Sequence, residues 1–375
     1  MNFLRDWKRA AAALLAAGML TAAPVQTSMA KESAKAAASL MTDAAGTAKV
    51  DEVYTLLVNG GGPAVVNYSG ADYNVNSMAG GVEVLSSFAV SYSTDAAEGT
   101  LETVRIPLRQ VLSGRTLRDG ERLQGIFDAG DHVYTAVDTE ASGDSLEIAV
   151  PYRSTAANPT VTFCVAKSGW SVGDGYDYLA LGNSITLHPK RAFWPNAMGM
   201  GATSIDKDYY HQVLKGLSRT KKNVNGAAMN YAIWEISYGD RARILHLLDG
   251  YLSSSLDLVS VQLGDNVTNT AGFDGDFRTL LQYIRAKAPN AQIIVTGNYW
   301  RDDQLDEAKK KIAEEMGISY VSLSALQDNP SYQFGIDTAY DADGKGMYSD
   351  NKGTAIHPNN RAMASIAKGI LKAVR

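Results

Sequence analysis

The chain has 375 residues, of which 45% are hydrophobic and 20% are charged, and its formal net charge at pH 7 is −5. At a nominal ~150 residues per domain, this length predicts about two folding units. The single cysteine, Cys164, excludes an internal disulfide framework, an iron–sulfur centre and a four-cysteine zinc site. The negative charge argues against nucleic acid as the main partner, because phosphate binding needs a clustered cationic surface.

The first thirty residues have the pattern of a secretory signal peptide. Basic residues at positions 5, 8 and 9 precede an apolar run over residues 10–23, and the small-residue sequence Ser28-Met29-Ala30 follows. The apolar run is short for a membrane span, which needs ~20 residues. We therefore expect cleavage after Ala30, a secreted, periplasmic or cell-surface protein, and no transmembrane segment after cleavage.

Residues 31–50 are rich in Ala, Ser, Lys and Thr without a steady apolar period, which predicts a linker. Between residues 51 and 170 the apolar side chains alternate with polar ones, as in the runs Val82–Val84, Val104–Leu108 and Leu146–Val150. This period of two, broken by Gly- and Asn-rich turns, predicts half-buried antiparallel strands in an accessory β-sandwich domain.

From residue 171 to residue 375 short apolar strands alternate with helical periods, which predicts a three-layer α/β/α domain around a parallel sheet. The predicted strands are 178–181, 227–229, 258–261, 293–295 and 320–323, and the helical periods cover residues 205–217, 273–284, 305–312 and 360–373. In such a domain the ligand site lies at the carboxyl ends of the strands.

Three reactive side chains follow predicted strands or precede the last helix, so we expect them at that edge. Ser184 follows the first strand in the small-residue turn Gly182-Asn183-Ser184, and Asn266 follows the third strand. His357 precedes the terminal helix. A serine hydroxyl becomes a useful nucleophile when a base stands beside it.

These motifs, Leu181 to Pro189 (LGNSITLHP), Gly264-Asp265-Asn266 and His357-Pro358-Asn359, resemble those of the SGNH (GDSL-type) esterase and lipase superfamily. The stretch Trp194 to His211 resembles secreted bacterial members of that superfamily. The resemblance covers about residues 176–375. It implies a flavodoxin-like α/β/α fold and a hydrolase without a cofactor.

The resemblance implies that Ser184 is the nucleophile and His357 the general base. It further implies an oxyanion hole made of the Ser184 backbone N–H, the Asn266 side chain and the backbone N–H of Glu235. Such donors face the charge that develops on the substrate carbonyl oxygen, and each is worth roughly 2.7–4 kcal/mol.

The sequence departs from the superfamily pattern at several positions. Asn183 replaces the usual Asp, Glu235 replaces the glycine of the oxyanion hole, and Val267 replaces an Asp that often follows Asn266. Thr354 stands where the Asp that orients the histidine is expected. The partner of His357 could then be Asp350, a backbone carbonyl or Glu235, or the site could work as a dyad.

Trp300 follows the fourth strand, where it could stack on a sugar or simply pack against the sheet end. We interpret His188, His211 and His246 as structural residues, and the charged run 302–315 as a solvated helix face. No spacing typical of a zinc site occurs, so we expect no metal.

The resulting hypothesis is a secreted serine esterase that removes a small, acetyl-type acyl group from an extracellular glycan through an acyl-Ser184 intermediate. One alternative is an O-acyltransferase that uses the same site on a polysaccharide. Another is a catalytically impaired surface protein that binds glycans.

Overall fold

A computed structural model of the chain describes the following residues: 40–41, 66–70, 73–80, 82–90, 97–117, 123–128, 134–137, 139–152, 159–166, 175–188, 190, 193–237, 239 and 241–375. The predicted signal peptide lies outside the described residues, and so does the predicted linker apart from residues 40–41. Among the described residues, no helix combines the length and the apolar character needed to cross a membrane.

The described strands are, in chain order, β1 (Leu40–Met41), β2 (Val66–Gly70), β3 (Tyr73–Gly80), β4 (Val82–Val90), β5 (Leu101–Pro107), β6 (Leu123–Asp128), β7 (Tyr134–Val137), β8 (Thr139–Ser142), β9 (Ser145–Pro151), β10 (Thr160–Ala166), β11 (Tyr176–Gly182), β12 (Val224–Asn230), β13 (Leu258–Gln262), β14 (Gln292–Thr296), β15 (Ser319–Val321), β16 (Asp337–Tyr340) and β17 (Gly346–Ser349).

The described α-helices are α1 (Leu108–Val111), α2 (Tyr209–Leu217), α3 (Ala232–Ile236), α4 (Phe273–Lys287), α5 (Asp303–Glu315), α6 (Lys352–Ala355) and α7 (Asn360–Ala373). Short 3-10 segments cover Ile205–Lys207, Arg241–Leu248 and Pro330–Tyr332. The chain divides into two compact units, one of residues 1–53 and 83–165, the other of residues 54–82 and 166–375.

The first unit contains two antiparallel sheets, with strand orders β1-β4-β10-β6-β7 and β5-β9-β8. Their alternating apolar side chains share one core, in which Phe88 and Phe163 of the first sheet meet Val104 and Ile148 of the second. Cys164 is also fully buried, but it follows Phe163 on β10 and therefore lies on the opposite face of that strand. Burial alternates along β5 and β9, which accounts for their period of two, whereas consecutive side chains are buried in β6 and in residues 160–165 of β10.

The second unit is built on a seven-stranded sheet of order β15-β14-β13-β11-β12-β3-β2. The five predicted strands are all present and parallel, which confirms the predicted parallel α/β part of the chain. The structure adds β3, parallel to β12, and β2, antiparallel to β3. Residues 66–80 thus pair with this sheet, although their sequence placed them in the predicted β-sandwich segment.

Helices cover both faces of this sheet. Tyr178 and Ala180 of β11 pack in one core with α2 and α7. Leu179 and Leu181 point to the opposite face, because side chains alternate along a strand, and they are also fully buried. The second layer includes α4 and α5, whose apolar stripes match the predicted helical periods.

Candidate active site

β11 lies between β12 and β13, and the chain crosses from one side of β11 to the other after β12. This reversal of strand order is the switch point at which a ligand crevice opens in parallel α/β sheets. The segments that follow these three strands carry Ser184, Glu235 and Asn266, so the sheet brings together loops that are far apart in sequence.

A tight turn carries Ser184 away from β11. A Cβ atom at Gly182 would lie 1.9 Å from Thr186 Oγ1 and 2.8 Å from the Gln262 carbonyl oxygen, so only glycine fits there. The Asn183 side chain closes the turn by accepting a hydrogen bond from the Ile185 N–H at 3.0 Å. The turn fixes the backbone of Ser184, and 7% of the residue's surface is exposed.

The structure brings Ser184 and His357 into direct contact. The distance between Ser184 Oγ and His357 Nε2 is 2.9 Å, although the residues are 173 positions apart. This is the reach required between a nucleophile and its general base.

The orienting partner of His357 is a backbone carbonyl. His357 Nδ1 donates to the Gly353 carbonyl oxygen at 2.7 Å, since a carbonyl can only accept. The Nδ1 proton leaves Nε2 as the acceptor for the Ser184 hydroxyl. Asp350, one of the partners that the sequence left open, is exposed and precedes α6, and the contact that the structure shows at Nδ1 is the carbonyl alternative.

The electrostatics of His357 follow from its burial. Burial lowers the pKa of His357 to about 4, and the hydrogen bond to Gly353 opposes the shift. The imidazole is consequently neutral over the physiological pH range. The described partner of Nδ1 is a neutral carbonyl, which stabilises an imidazolium less than a carboxylate would.

Glu235 is the centre of a buried group of hydrogen bonds beside this pair. Its Oε1 accepts from the backbone N–H of Gly264 at 2.5 Å and from Asn183 Nδ2 at 3.2 Å, and its Oε2 accepts from Asn266 Nδ2 at 2.6 Å. We call Glu235, Asn183, Asp265 and Asn266 the carboxylate cluster. The Glu235 carboxylate thus connects Asn183, which precedes Ser184, to Asn266, the candidate oxyanion donor.

Two departures from the superfamily pattern therefore contact each other. Asn183 lacks the charge expected at its position, and Glu235 supplies a carboxylate within 3.2 Å of it. An Asp at position 183 would place a further acidic group against Glu235 and Asp265. The amide avoids that repulsion and donates to the carboxylate instead.

Asn266 keeps a donor for a substrate despite its bond to Glu235. Its side chain is partly exposed, and its amide carries two N–H groups, of which one is used by Glu235. Glu235 thereby fixes the amide plane. The backbone at Glu235 is also held, because the buried Arg241 donates to the Trp234 and Glu235 carbonyl oxygens at 2.9 and 2.8 Å.

Asp265 is the second carboxylate of the cluster. Its Oδ1 accepts from the backbone N–H groups of Tyr299 and Trp300, and its Oδ2 accepts from Gln262 at 2.6 Å. Burial, and then the nearby Asp265, raise the pKa of Glu235 to about 7. Glu235 is therefore a group whose charge changes near neutral pH.

Lys309 provides a buried positive charge near these carboxylates. It is fully buried, and its Nζ donates to the Leu263 carbonyl oxygen at 2.9 Å and to Asn298 Oδ1. Burial lowers the pKa of Lys309, while Asp265, Asp306 and Glu235 oppose that shift. The interpretation of residues 302–315 as a solvated face is wrong at Lys309, which lies on the buried stripe between Leu305 and Ile312.

Trp300 lies against His357. Its ring is perpendicular to that of His357, with 5.0 Å between centroids, and its Nε1 donates to the Ile356 carbonyl oxygen at 3.2 Å. These contacts show the packing role that the sequence left open, and the ring remains partly exposed. A role in sugar binding stays a prediction.

The other histidines take no part in this arrangement. His211 is buried and donates to Asp208 at 2.8 Å, where it supports the start of α2. His188 packs against Phe193, with 5.6 Å between ring centroids, and His246 lies in the 3-10 segment Arg241–Leu248. Within the part of the chain that the structure describes, no group of three or more potential ligands could hold a metal ion.

The sequence matches no protein-family profile and no curated protein. Among solved structures, one similar to the chain is phospholipase A1 from Streptomyces albidoflavus, with a TM-score of 0.35 and 16% identity, covering 53% of this chain and 99% of that one. The salicylyl-acyltransferase SsfX3 from a tetracycline biosynthetic pathway has a TM-score of 0.35 and 15% identity, covering 67% and 74%.

A family two carbohydrate esterase from Cellvibrio japonicus is also similar, with a TM-score of 0.33 and 13% identity, covering 83% of this chain and 96% of that one. These similarities are too distant to assign the chain to a family. Its function has to be argued from its own side chains.

Proposed function

We propose that the chain is a serine esterase. The observation that carries the proposal is the 2.9 Å contact between Ser184 Oγ and His357 Nε2, with Nδ1 bonded to a carbonyl that fixes the tautomer. The pair lies at the switch point of the sheet, where a ligand crevice is expected. We include in the proposal that the substrate is a small acyl ester on an extracellular glycan.

The reaction proceeds in two transfers. Ser184 Oγ attacks the ester carbonyl carbon while His357 Nε2 takes its proton, and the carbonyl electrons move onto the oxygen. Collapse of this tetrahedral intermediate expels the alcohol, which receives the proton from His357. Water, activated by His357 in the same way, then releases the acid and restores Ser184.

The oxyanion hole of the proposal consists of the Ser184 backbone N–H and the Asn266 amide. The Glu235 backbone N–H is not part of it, because in α3 that group donates to the Tyr231 carbonyl oxygen four residues earlier. The carboxylate cluster supports it by holding Asn266 through Glu235 Oε2. Because the donors are held before the substrate arrives, little reorganisation accompanies charge development.

The test is labelling by a fluorophosphonate probe, followed by hydrolysis of p-nitrophenyl esters of increasing acyl length. We expect label on the wild type, none on Ser184→Ala, and the fastest hydrolysis with the shortest chains. Ser254→Ala, at an exposed serine, is the control. Absence of label, or label that survives Ser184→Ala, would contradict the proposal and favour a glycan-binding protein without activity.

Product analysis separates hydrolysis from transfer. With an acyl donor and an oligosaccharide acceptor together, the esterase releases free acid, whereas an O-acyltransferase forms an acylated oligosaccharide. Predominant transfer would keep Ser184 as nucleophile and change the second acceptor from water to a sugar hydroxyl.

A further inference from the structure

A cavity of about 570 Å³ lies outside the candidate active site, between α2 and α7. Lys207, Lys215, Arg219, Lys368 and Lys372 line it, and all five are exposed. Asp206 is the one acidic residue among its lining residues, and it forms an ion pair with Lys207 at 3.1 Å, so the lining holds no second carboxylate for the other four cations. We call this cavity the basic groove.

The charge of the basic groove differs from that of the rest of the chain. The whole chain has a formal net charge of −5, whereas five cationic side chains and one carboxylate line the groove. Neither α2 nor α7 contains an Asp or Glu. On α4 and α5, by contrast, acids and bases alternate, and Arg278 and Glu315 form an ion pair between these two helices. A helix face that is only solvated is expected to carry acidic and basic side chains together, as α4 and α5 do.

The groove extends from the catalytic edge of the sheet. Lys207 follows a loop in which the Met200 N–H donates to the Ser184 carbonyl oxygen at 2.9 Å. In the same loop a Cβ atom at Gly201 would lie 3.0 Å from His357 Cβ. From Ala364 to Lys372, α7 rises about 12 Å at the usual 1.5 Å per residue. A linear chain lying along the helices would therefore lead toward Ser184.

The floor of the groove indicates what kind of anion fits. Gly216 allows α2 to approach α7, since a Cβ atom there would lie 2.3 Å from Leu371 Cδ1. None of the residues that line the groove is aromatic, whereas single-stranded nucleic acid is bound by stacking on aromatic rings. Membrane-surface binding needs a broad apolar face, and the groove offers mainly Leu371 and two alanines.

We propose that the basic groove binds an acidic polysaccharide chain, whose repeated anionic groups pair with the five cations, and that the ester cleaved at Ser184 is attached to this chain. The second part rests on the proposed function. Exposed pairs of this kind are individually weak, so the affinity comes from several contacts and falls as salt rises.

The experiment compares two double variants with equal changes in charge. Lys368→Glu/Lys372→Glu alters the groove, and Lys310→Glu/Lys311→Glu alters exposed positions of α5. Affinity electrophoresis with polygalacturonate and with neutral dextran measures binding. We expect polygalacturonate, but not dextran, to retard the wild type, and the groove variant to bind about ten-fold more weakly. The α5 variant should bind like the wild type.

Turnover gives the second measurement. The groove variant should hydrolyse p-nitrophenyl acetate like the wild type and show about a ten-fold higher KM for O-acetylated polygalacturonate. Ser184→Ala should bind polygalacturonate normally and hydrolyse neither ester.

Equal losses in both double variants, or no retardation of the wild type, would overturn the proposal. So would stronger retention by single-stranded DNA or by anionic phospholipid vesicles than by polygalacturonate. If polygalacturonate binds through the groove but no fluorophosphonate label forms, the proposed esterase activity is contradicted. The proposal that the groove binds an acidic polysaccharide is then kept. If label forms and polygalacturonate does not bind, the groove proposal fails alone.

Discussion

The two sides of the candidate active site are built differently. Ser184 and His357 meet in a single hydrogen bond of 2.9 Å, and His357 is oriented by one carbonyl. On the other side, Asn266 belongs to a buried group of carboxylates, amides and one ammonium. The reactive pair thus depends on few contacts, whereas the oxyanion side is held by many. Asn266 is bonded to an ionisable carboxyl group, that of Glu235, whereas His357 Nδ1 is bonded to a neutral carbonyl.

The largest expected effect is that of replacing His357 in the Ser184–His357 pair. His357→Gln should lower kcat/KM by roughly 10⁴-fold, because no other described group reaches Ser184 Oγ to take its proton. His246→Gln, at a residue distant in sequence from the pair, is the control. Turnover within ten-fold of the wild type would mean that His357 is not the base.

On the oxyanion side, Asn266→Ala should lower kcat by about 10²- to 10³-fold with little change in KM, since the amide acts mainly on the transition state. Steady-state kinetics with p-nitrophenyl acetate measures both constants. An effect confined to KM would assign Asn266 to ground-state binding.

Glu235→Gln should have an intermediate effect, about ten-fold in kcat, because an amide N–H would face one of the donors that Glu235 now accepts from.

The variant also tests how the stability of the protein depends on pH. The raised pKa of Glu235 means that its folded form retains a proton that the unfolded chain releases, so its contribution to stability falls as pH rises toward about 7.

The melting temperature of Glu235→Gln relative to wild type should therefore increase between acidic pH and pH 8. A difference that does not vary with pH would show that folding leaves the pKa of Glu235 at its ordinary value.

The pH dependence of kcat/KM distinguishes the two sides further. His357 acts as a base only when neutral, and its pKa is lowered to about 4, so the acidic limb of the profile should fall near that value. An acidic limb near the ordinary value of ~6.5 would indicate that the imidazole is more solvated or carboxylate-supported in solution.

The smallest effect is expected at Asp350. Because Gly353 holds His357 Nδ1, Asp350→Asn should leave kcat and KM unchanged within about two-fold. A large loss of kcat would return Asp350 to the role of orienting carboxylate.

Periodicity predicted most of the second unit. The five parallel strands and the stripes of α4, α5 and α7 were predicted because each buries a regular face. The pairing of β3 with β12 was not predicted, because period-two patterns do not specify which sheet a strand joins. The predicted boundaries of the domains stay predictions.

The candidate site was predictable where reactive residue types follow strand ends. The Gly353 carbonyl was not, because every residue carries such a group and the sequence gives it no mark. Lys309 had a signal that was misread: it is four residues after Leu305 and three before Ile312, on the buried side of the helix. A charged residue in an apolar stripe is thus better interpreted as paired and buried than as exposed.

The position of β3 has a practical consequence for anyone who wishes to produce the parallel α/β part of the chain alone. A fragment starting near residue 171 would lack both β2 and β3, and the backbone groups of β12 that β3 now satisfies would be open to other chains. Such a fragment would tend to self-associate. Residues 66–80 belong in any shortened version of this protein.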